Sequence, residues 1–171
     1  MADLLTPQLN EAQISIITGK TPDKYVKTRP GRGGKSFSYV EVGYVIDQLN
    51  KAFGLAWSWD IEDQRLGKTQ LWVKGKLTIW FSPTFSISKS SFGGSAIKKD
   101  GVGNIIDVAD DLKAASSDAL KKAASMIGIA ADVYFPQMDR LEEKEVPAEE
   151  AKQVFSAPPP KEEPKTDDLP F

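Results

Sequence analysis

Asp107-Val-Ala-Asp-Asp-Leu-Lys-Ala-Ala-Ser-Ser-Asp-Ala-Leu-Lys-Lys-Ala-Ala-Ser-Met-Ile-Gly-Ile129 is the stretch that decides the fold. Its apolar residues Val108, Leu112, Ala115, Ala119, Ala123, Met126 and Ile127 recur in steps of three and four, which places them on one face of a helix. Five alanines between positions 114 and 124 raise helix propensity and let a neighbouring element come close. Lys121 and Lys122, about 100° apart around the axis, make a basic shoulder beside that face. Taken alone, the run is equally an ordinary core helix with solvated lysines.

Working back from this helix, the period falls to two. Trp57-Ser-Trp59-Asp-Ile61 predicts a first strand, and Leu66-Gly67-Lys68 a turn. Leu71, Val73, Leu77, Ile79 and Phe81 mark a longer second strand, in which Gly75 permits a bend or bulge. Pro83 breaks it; Phe85, Ile87 and Phe92 mark a third strand, and Gly93-Gly94 and Gly101-Val-Gly103 lead into the long helix. Before the strands, a helix is predicted from about Val40 to Phe53, with Val42, Val45, Ile46, Leu49 and Phe53 on its apolar face and Gly54 as its stop. Thr6-Pro7 reads as an earlier helix start and Gly19 as its stop. Residues 20–38 read as a basic, glycine-containing loop.

Composition narrows the chemistry. The 171 residues are 40% hydrophobic, enough for one full core. No apolar run approaches a bilayer span, and Met-Ala-Asp-Leu-Leu lacks the basic and apolar regions of a signal peptide, so a cytoplasmic setting is expected. With neither cysteine nor histidine, disulfides, thiolate chemistry, a Ser-His-Asp triad and a histidine base are excluded, and no zinc or other cofactor is expected. The net charge of −2 divides unevenly: residues 1–140 hold 18 Lys+Arg against 15 Asp+Glu, while 141–171 hold 4 against 9. Together with Pro147, Pro158-Pro159-Pro160, Pro164 and Pro170, this predicts a domain over 1–140 and a disordered acidic tail over 141–171.

Gly34-Lys35-Ser36 resembles the end of a phosphate-binding P-loop, but Arg29 stands where that motif needs its first glycine. What remains is either a solvated loop or one whose Lys27, Arg29, Arg32 and Lys35 hold a phosphate backbone. The carboxylates Asp60, Glu62 and Asp63, and then Asp107, Asp110 and Asp111, could suggest a metal-dependent nuclease. An exposed strand face explains the first group and a helix N-terminus the second, so no catalytic residue and no metal site is expected. Trp57, Trp59, Trp72 and Trp80 could stack bases, but are read as core or subunit contacts.

Tyr25-Val-Lys-Thr-Arg29, the glycine loop, Tyr39-Val-Glu41, Val45-Ile46, Asn50-Lys-Ala-Phe-Gly54 and Trp57 resemble the start of the Rad-fifty-two annealing domain. The glycine segment before the last helix, with Asp118-Ala-Leu-Lys-Lys-Ala through Met126-Ile-Gly128, is similar to its later half; the resemblance spans about residues 20–134. It implies an α+β fold: a β-β-β-α core, an antiparallel three-stranded sheet packed on the long helix, in a closed homo-oligomeric ring. It further implies ATP-independent binding of single-stranded DNA in an outer groove and annealing of complementary strands in recombination and repair. Arg29, Tyr39, Lys121 and Lys122 match the family's main DNA-binding positions, and Lys98 and Lys99 are implied as a second, outer site. Ser125 stands where eukaryotic members carry a basic residue. Annealing needs no ATP, because pairing is itself favourable by roughly 1.4 kcal/mol per stacked step.

Asp167-Asp168-Leu169-Pro170-Phe171 resembles the acidic tip of bacterial single-stranded-DNA-binding proteins. That likeness implies a bacterial or phage origin and capture of repair or replication partners that recognise such tips. It also raises the rival expectation of an OB-fold protein that coats and protects single strands, although the strands are few for a five-stranded barrel and a long alanine-rich helix precedes the tail.

Overall fold

The computed structural model describes residues 9–136. The predicted start at Thr6-Pro7, the tail and its tip lie outside the described residues. The first helix, α1 (Glu11–Thr18), is closed by a capping box in which Asn10 and Gln13 exchange side-chain and backbone hydrogen bonds, and it ends at Gly19 as expected.

Residues 20–38, expected as a loop, instead build a hairpin. Strand β1 (Val26–Pro30) pairs antiparallel with β2 (Ser36–Val40), Arg29 opposite Phe37 and Lys27 opposite Tyr39. The turn between them holds Gly33 and Gly34 at φ of 71° and 73°, the left-handed region that glycine enters without strain. Val40 therefore ends a strand, and the second helix, α2 (Val42–Phe53), begins two residues later than predicted. Gly54 ends α2 at φ 60°, its N–H donating to the Asn50 carbonyl.

Strands β3 (Trp57–Leu66), β4 (Gln70–Ser82) and β5 (Phe85–Ala96) form an antiparallel sheet in the order β3-β4-β5. This open three-stranded sheet is not the five-stranded barrel of an OB-fold. The period of two in β4 sends Leu71, Val73, Leu77 and Ile79 into the core and Trp72, Lys74, Lys76 and Trp80 to the other face. Gly75 does face a bulge, since the β3 register shifts between Ile61 and Asp63. It has a second duty: a Cβ there would lie 2.1 Å from the Trp59 ring, which uses that space to donate its Nε1–H to Ser116 Oγ at 3.0 Å.

Helix α3 (Val108–Ser125) lies across this sheet. Asp107 is its N-cap, accepting from the N–H groups of Ala109 and Asp110. Ala115, Ala119, Ala123 and Ala124 are fully buried. They let the helix backbone approach so near β5 that a Cβ on Gly93 would lie 2.0 Å from the Ala115 carbonyl oxygen. Gly93 and Gly94, expected in a lead-in segment, are thus inside β5, the first because α3 leaves no room for a side chain. The helix stops four residues before Ile129. Met126, expected on its apolar face, is exposed, and Gly128 (φ 109°) and Ala130 (φ 56°) turn the chain toward α1 and into α4 (Ala131–Tyr134). Val40, Val45, Leu49, Leu77, Ile79 and Leu120 centre the core that joins hairpin, α2, sheet and α3.

Candidate nucleic-acid interface

The hairpin and the C-terminal half of α3 form the walls of an open groove of about 1210 Å³. The cross-strand pairs put Lys27, Arg29, Phe37 and Tyr39 on one face of the hairpin. On the opposite wall, Asp118, Lys121 and Lys122 occupy successive positions of one helical stripe and its flank.

The two lysines differ in kind. Lys121 Nζ stands 5.5 Å from the centre of the Tyr39 ring, a cation–π arrangement that aligns the ammonium in the groove. Burial pushes this ammonium below the ordinary lysine range; the Asp118 carboxylate opposes that shift, and the like charges of Arg29 and Lys122 add to it. Among the described residues Lys121 has no carboxylate within ion-pair distance. Lys122, by contrast, donates to Asp118 Oδ2 at 2.8 Å and to the Phe92 carbonyl at 3.1 Å. A phosphate reaching Lys122 must compete with a carboxylate; one reaching Lys121 finds a half-buried ammonium with no carboxylate at ion-pair distance among the described residues.

The sequence missed several groove residues. Phe37 is 51% exposed on the hairpin wall, an aromatic face open to a base. Tyr134, from α4, closes one end, its hydroxyl accepting from the Val40 N–H at 3.4 Å; burial keeps that phenol protonated above its usual range. The signal for the hairpin was the alternation Ser36-Phe-Ser-Tyr-Val40 after a glycine-rich turn.

The remaining basic residues stand apart. Lys35 lies at the hairpin turn, its carbonyl accepting from Gly31 N–H, and does not line the groove. The side chain of Arg32 lies outside the described residues. Lys98 and Lys99 follow β5, beside the N-terminal end of α3, whereas Lys121 and Lys122 lie near its C-terminal end. Lys98 is engaged with Asp110 at 2.6 Å, and its N–H donates to the fully buried Asp111. Lys113 and Lys98 together hold the Asp110 carboxyl down to about 2. Lys27, pointed to as a phosphate contact, is paired with Glu41.

The carboxylates have structural duties: Glu62, at the β3 bulge, bridges Lys74 at 3.0 Å and Lys76 at 3.4 Å, and Asp107 caps its helix. Among the described residues no three His, Cys, Asp or Glu side chains converge as a metal site, and no helix is long and apolar enough to cross a membrane. Trp57 and Trp59 are half-buried against the core, with their indole N–H groups satisfied by Asn50 and Ser116.

No curated protein gives a match to the chain. The model of the Rad52/22 family double-strand break repair protein matches residues 10–145, a span that takes in every element from α1 to α4 and both walls of the groove. With most of its length matched, the chain belongs to the Rad52/22 family.

Proposed function

We propose that the groove between the hairpin and α3 holds the backbone of single-stranded DNA and that the protein anneals complementary strands without ATP. Family membership carries single-strand annealing in recombination and repair. The observation that carries the reading to these residues is the convergence of Arg29, Lys121 and Lys122 on one open groove, with Lys121 desolvated over Tyr39. Phosphate contacts give affinity without base identity, which is what an annealer needs, since it must accept any sequence and leave base edges free to pair. The three cations contribute charge, Tyr39 fixes Lys121, and Phe37 offers a stacking face.

The same reading extends to a homo-oligomeric ring that sets the grooves of successive subunits in one track, to Arg32 and Lys35 of the glycine turn as further contacts to the phosphate backbone, and to Lys98 and Lys99 as a second, outer site. It also takes residues 1–140 as the annealing domain and 141–171 as a tail whose tip, Asp167 to Phe171, recruits a repair or replication partner. The setting that goes with such a tip is the cytoplasm of a bacterial or phage-infected cell. No catalytic step and no cofactor enters.

The test is the rate at which two complementary oligonucleotides pair, with and without the protein, in buffer free of nucleotide and containing EDTA. Acceleration that saturates with protein and is lost on removing Lys121 and Arg29 supports the proposal. Strand binding that leaves pairing unchanged or slower refutes it.

A further inference from the structure

Beside the groove, across the edge of β5, lies a smaller pocket of about 330 Å³ between Trp72 and Lys122, bordered by Gln70, Gly94, Ser95 and Asp118. Gly94, Ser95, Asp118 and Lys122 line both spaces, so the pocket is a side branch of the groove. Trp72 stands directly opposite Gly94 in the sheet. Its ring is steadied edge-on by Phe92, with centroids 5.5 Å apart, and by the Arg65 guanidinium at 5.8 Å. Phe92 is 56% exposed.

Gly94 has a property that the fold does not explain. Gly93 must be glycine, because α3 fills the space of its Cβ. A Cβ on Gly94 would meet only the Leu71 carbonyl oxygen, at an ordinary 3.6 Å, and its φ is not in the left-handed region. A side chain there would also favour the strand, where glycine is a weak choice. What the missing side chain does is leave the strand edge low, so that the groove opens onto Trp72.

We propose that this branch is a base-stacking subsite: an unstacked base of the strand whose phosphates follow Lys121 and Lys122 passes over Gly94 and rests against Trp72. Three features fit that occupant. The pocket is continuous with the proposed phosphate track through Lys122. Its wall is the Trp72 ring, held in place by Phe92 and Arg65, and aromatic faces take any base. Its carboxylate, Asp118, is already engaged by Lys122 and the Gly94 N–H, at 2.8 and 3.3 Å, and so does not face a base as a bare charge. The subsite rests on the groove reading above and adds a sequence-independent grip that salt does not screen.

The experiment compares binding of the full chain to a fluorescein-labelled thymidine oligomer and to an abasic oligomer of the same length, over a range of salt. Both carry the same phosphates, so they differ only in bases. The wild type should prefer the thymidine oligomer by about tenfold. Gly94→Val, whose Cβ meets backbone only at the ordinary 3.6 Å contact with the Leu71 carbonyl, should melt no lower than wild type, keep the salt slope and lose most of that preference. Trp72→Leu should do the same where it folds; Gly94→Val stands independently of it. An equal affinity of the wild type for both oligomers, or a preference that survives Gly94→Val, overturns the subsite while leaving the groove intact. Loss of salt-dependent binding to both oligomers in the wild type would instead remove the groove and the subsite with it.

Discussion

Replacing Lys121 with Met and Arg29 with Gln should weaken binding in a way that salt reveals. Among the described residues Lys121, unlike Lys122, has no carboxylate within ion-pair distance, and Arg29 faces it closely enough for its charge to depress the ammonium. Methionine keeps an unbranched stem over Tyr39 and removes only the charge, so the fold should hold. Each phosphate that the protein no longer neutralises lowers the slope of log affinity against log salt by about 0.7 for a single strand, so two lower it by about 1.4. Over a rise from about 50 to about 200 mM salt, the wild type should therefore lose about sevenfold more affinity than the double variant. Fluorescence anisotropy with a mixed-sequence oligonucleotide measures both slopes, and the loss should be the same for every sequence, since no base is read. Lys122→Met should change the slope less, because its ammonium is already shared with Asp118 and the Phe92 carbonyl. A folded double variant with unchanged affinity and slope would refute the groove.

Gly93→Ala should cost about 3 kcal/mol in urea unfolding, the upper end of overpacking penalties, since its Cβ would sit 2.0 Å from Ala115 O and 2.4 Å from Ala119 N, backbone atoms that cannot swing aside. A loss under half that would show that α3 slides easily on β5. The pH dependence of binding follows from Lys121, whose lowered pKa makes it discharge before an ordinary lysine. Affinity should fall as pH rises through that lowered value, while stability relative to Lys121→Met should rise from there up to the unfolded lysine value, because the unfolded chain then holds more protons. Matching profiles for wild type and Lys121→Met would dismiss the assignment. Light scattering at micromolar concentration should give a mass several times that of one chain, and a monomer would exclude the ring.

How much of the fold is legible in the sequence depends on whether burial leaves a period in it. The α3 helix and strand β4 are buried along one face, so their patterns of 3.6 and 2 are plain in Ala115-Ala119-Ala123 and in Leu71-Val73-Leu77-Ile79. The β1–β2 hairpin is nearly all exposed, so its one short alternation, Ser36-Phe-Ser-Tyr, carries little weight beside the glycine turn, which invites comparison with a phosphate loop. Gly93 reads as a breaker because only the tertiary approach of α3 gives it a reason to be in a strand. At the site, Arg29, Tyr39, Lys121 and Lys122 are legible through family resemblance, and the fold brings them to one groove. The capture of Lys98 by Asp110 and of Lys27 by Glu41 is out of reach, since each pair joins separate elements. So is the difference between Lys121 and Lys122, which the sequence presents as a matched pair.

That difference bears on how an annealer lets go. A groove that held phosphates as tightly as its cations allow would keep strands apart, because each must yield its place as the duplex forms. Asp118 works against such a grip. It occupies Lys122, and its negative charge partly offsets the cations around Lys121. Asp118→Asn keeps an oxygen that can accept from the Gly94 N–H and removes the charge, so Lys122 becomes free for phosphate. Single-strand affinity should then rise, and the salt slope should steepen by up to about 0.7 for the one further phosphate that Lys122 neutralises. Annealing should slow at saturating protein, because pairing gains only roughly 1.4 kcal/mol per stacked step and must now displace one more charged grip per subunit. Stopped-flow pairing of labelled complementary strands, alongside anisotropy, separates the two effects. Tighter binding with equal or faster annealing would show that release does not limit pairing and that Asp118 serves only to anchor β5 against α3.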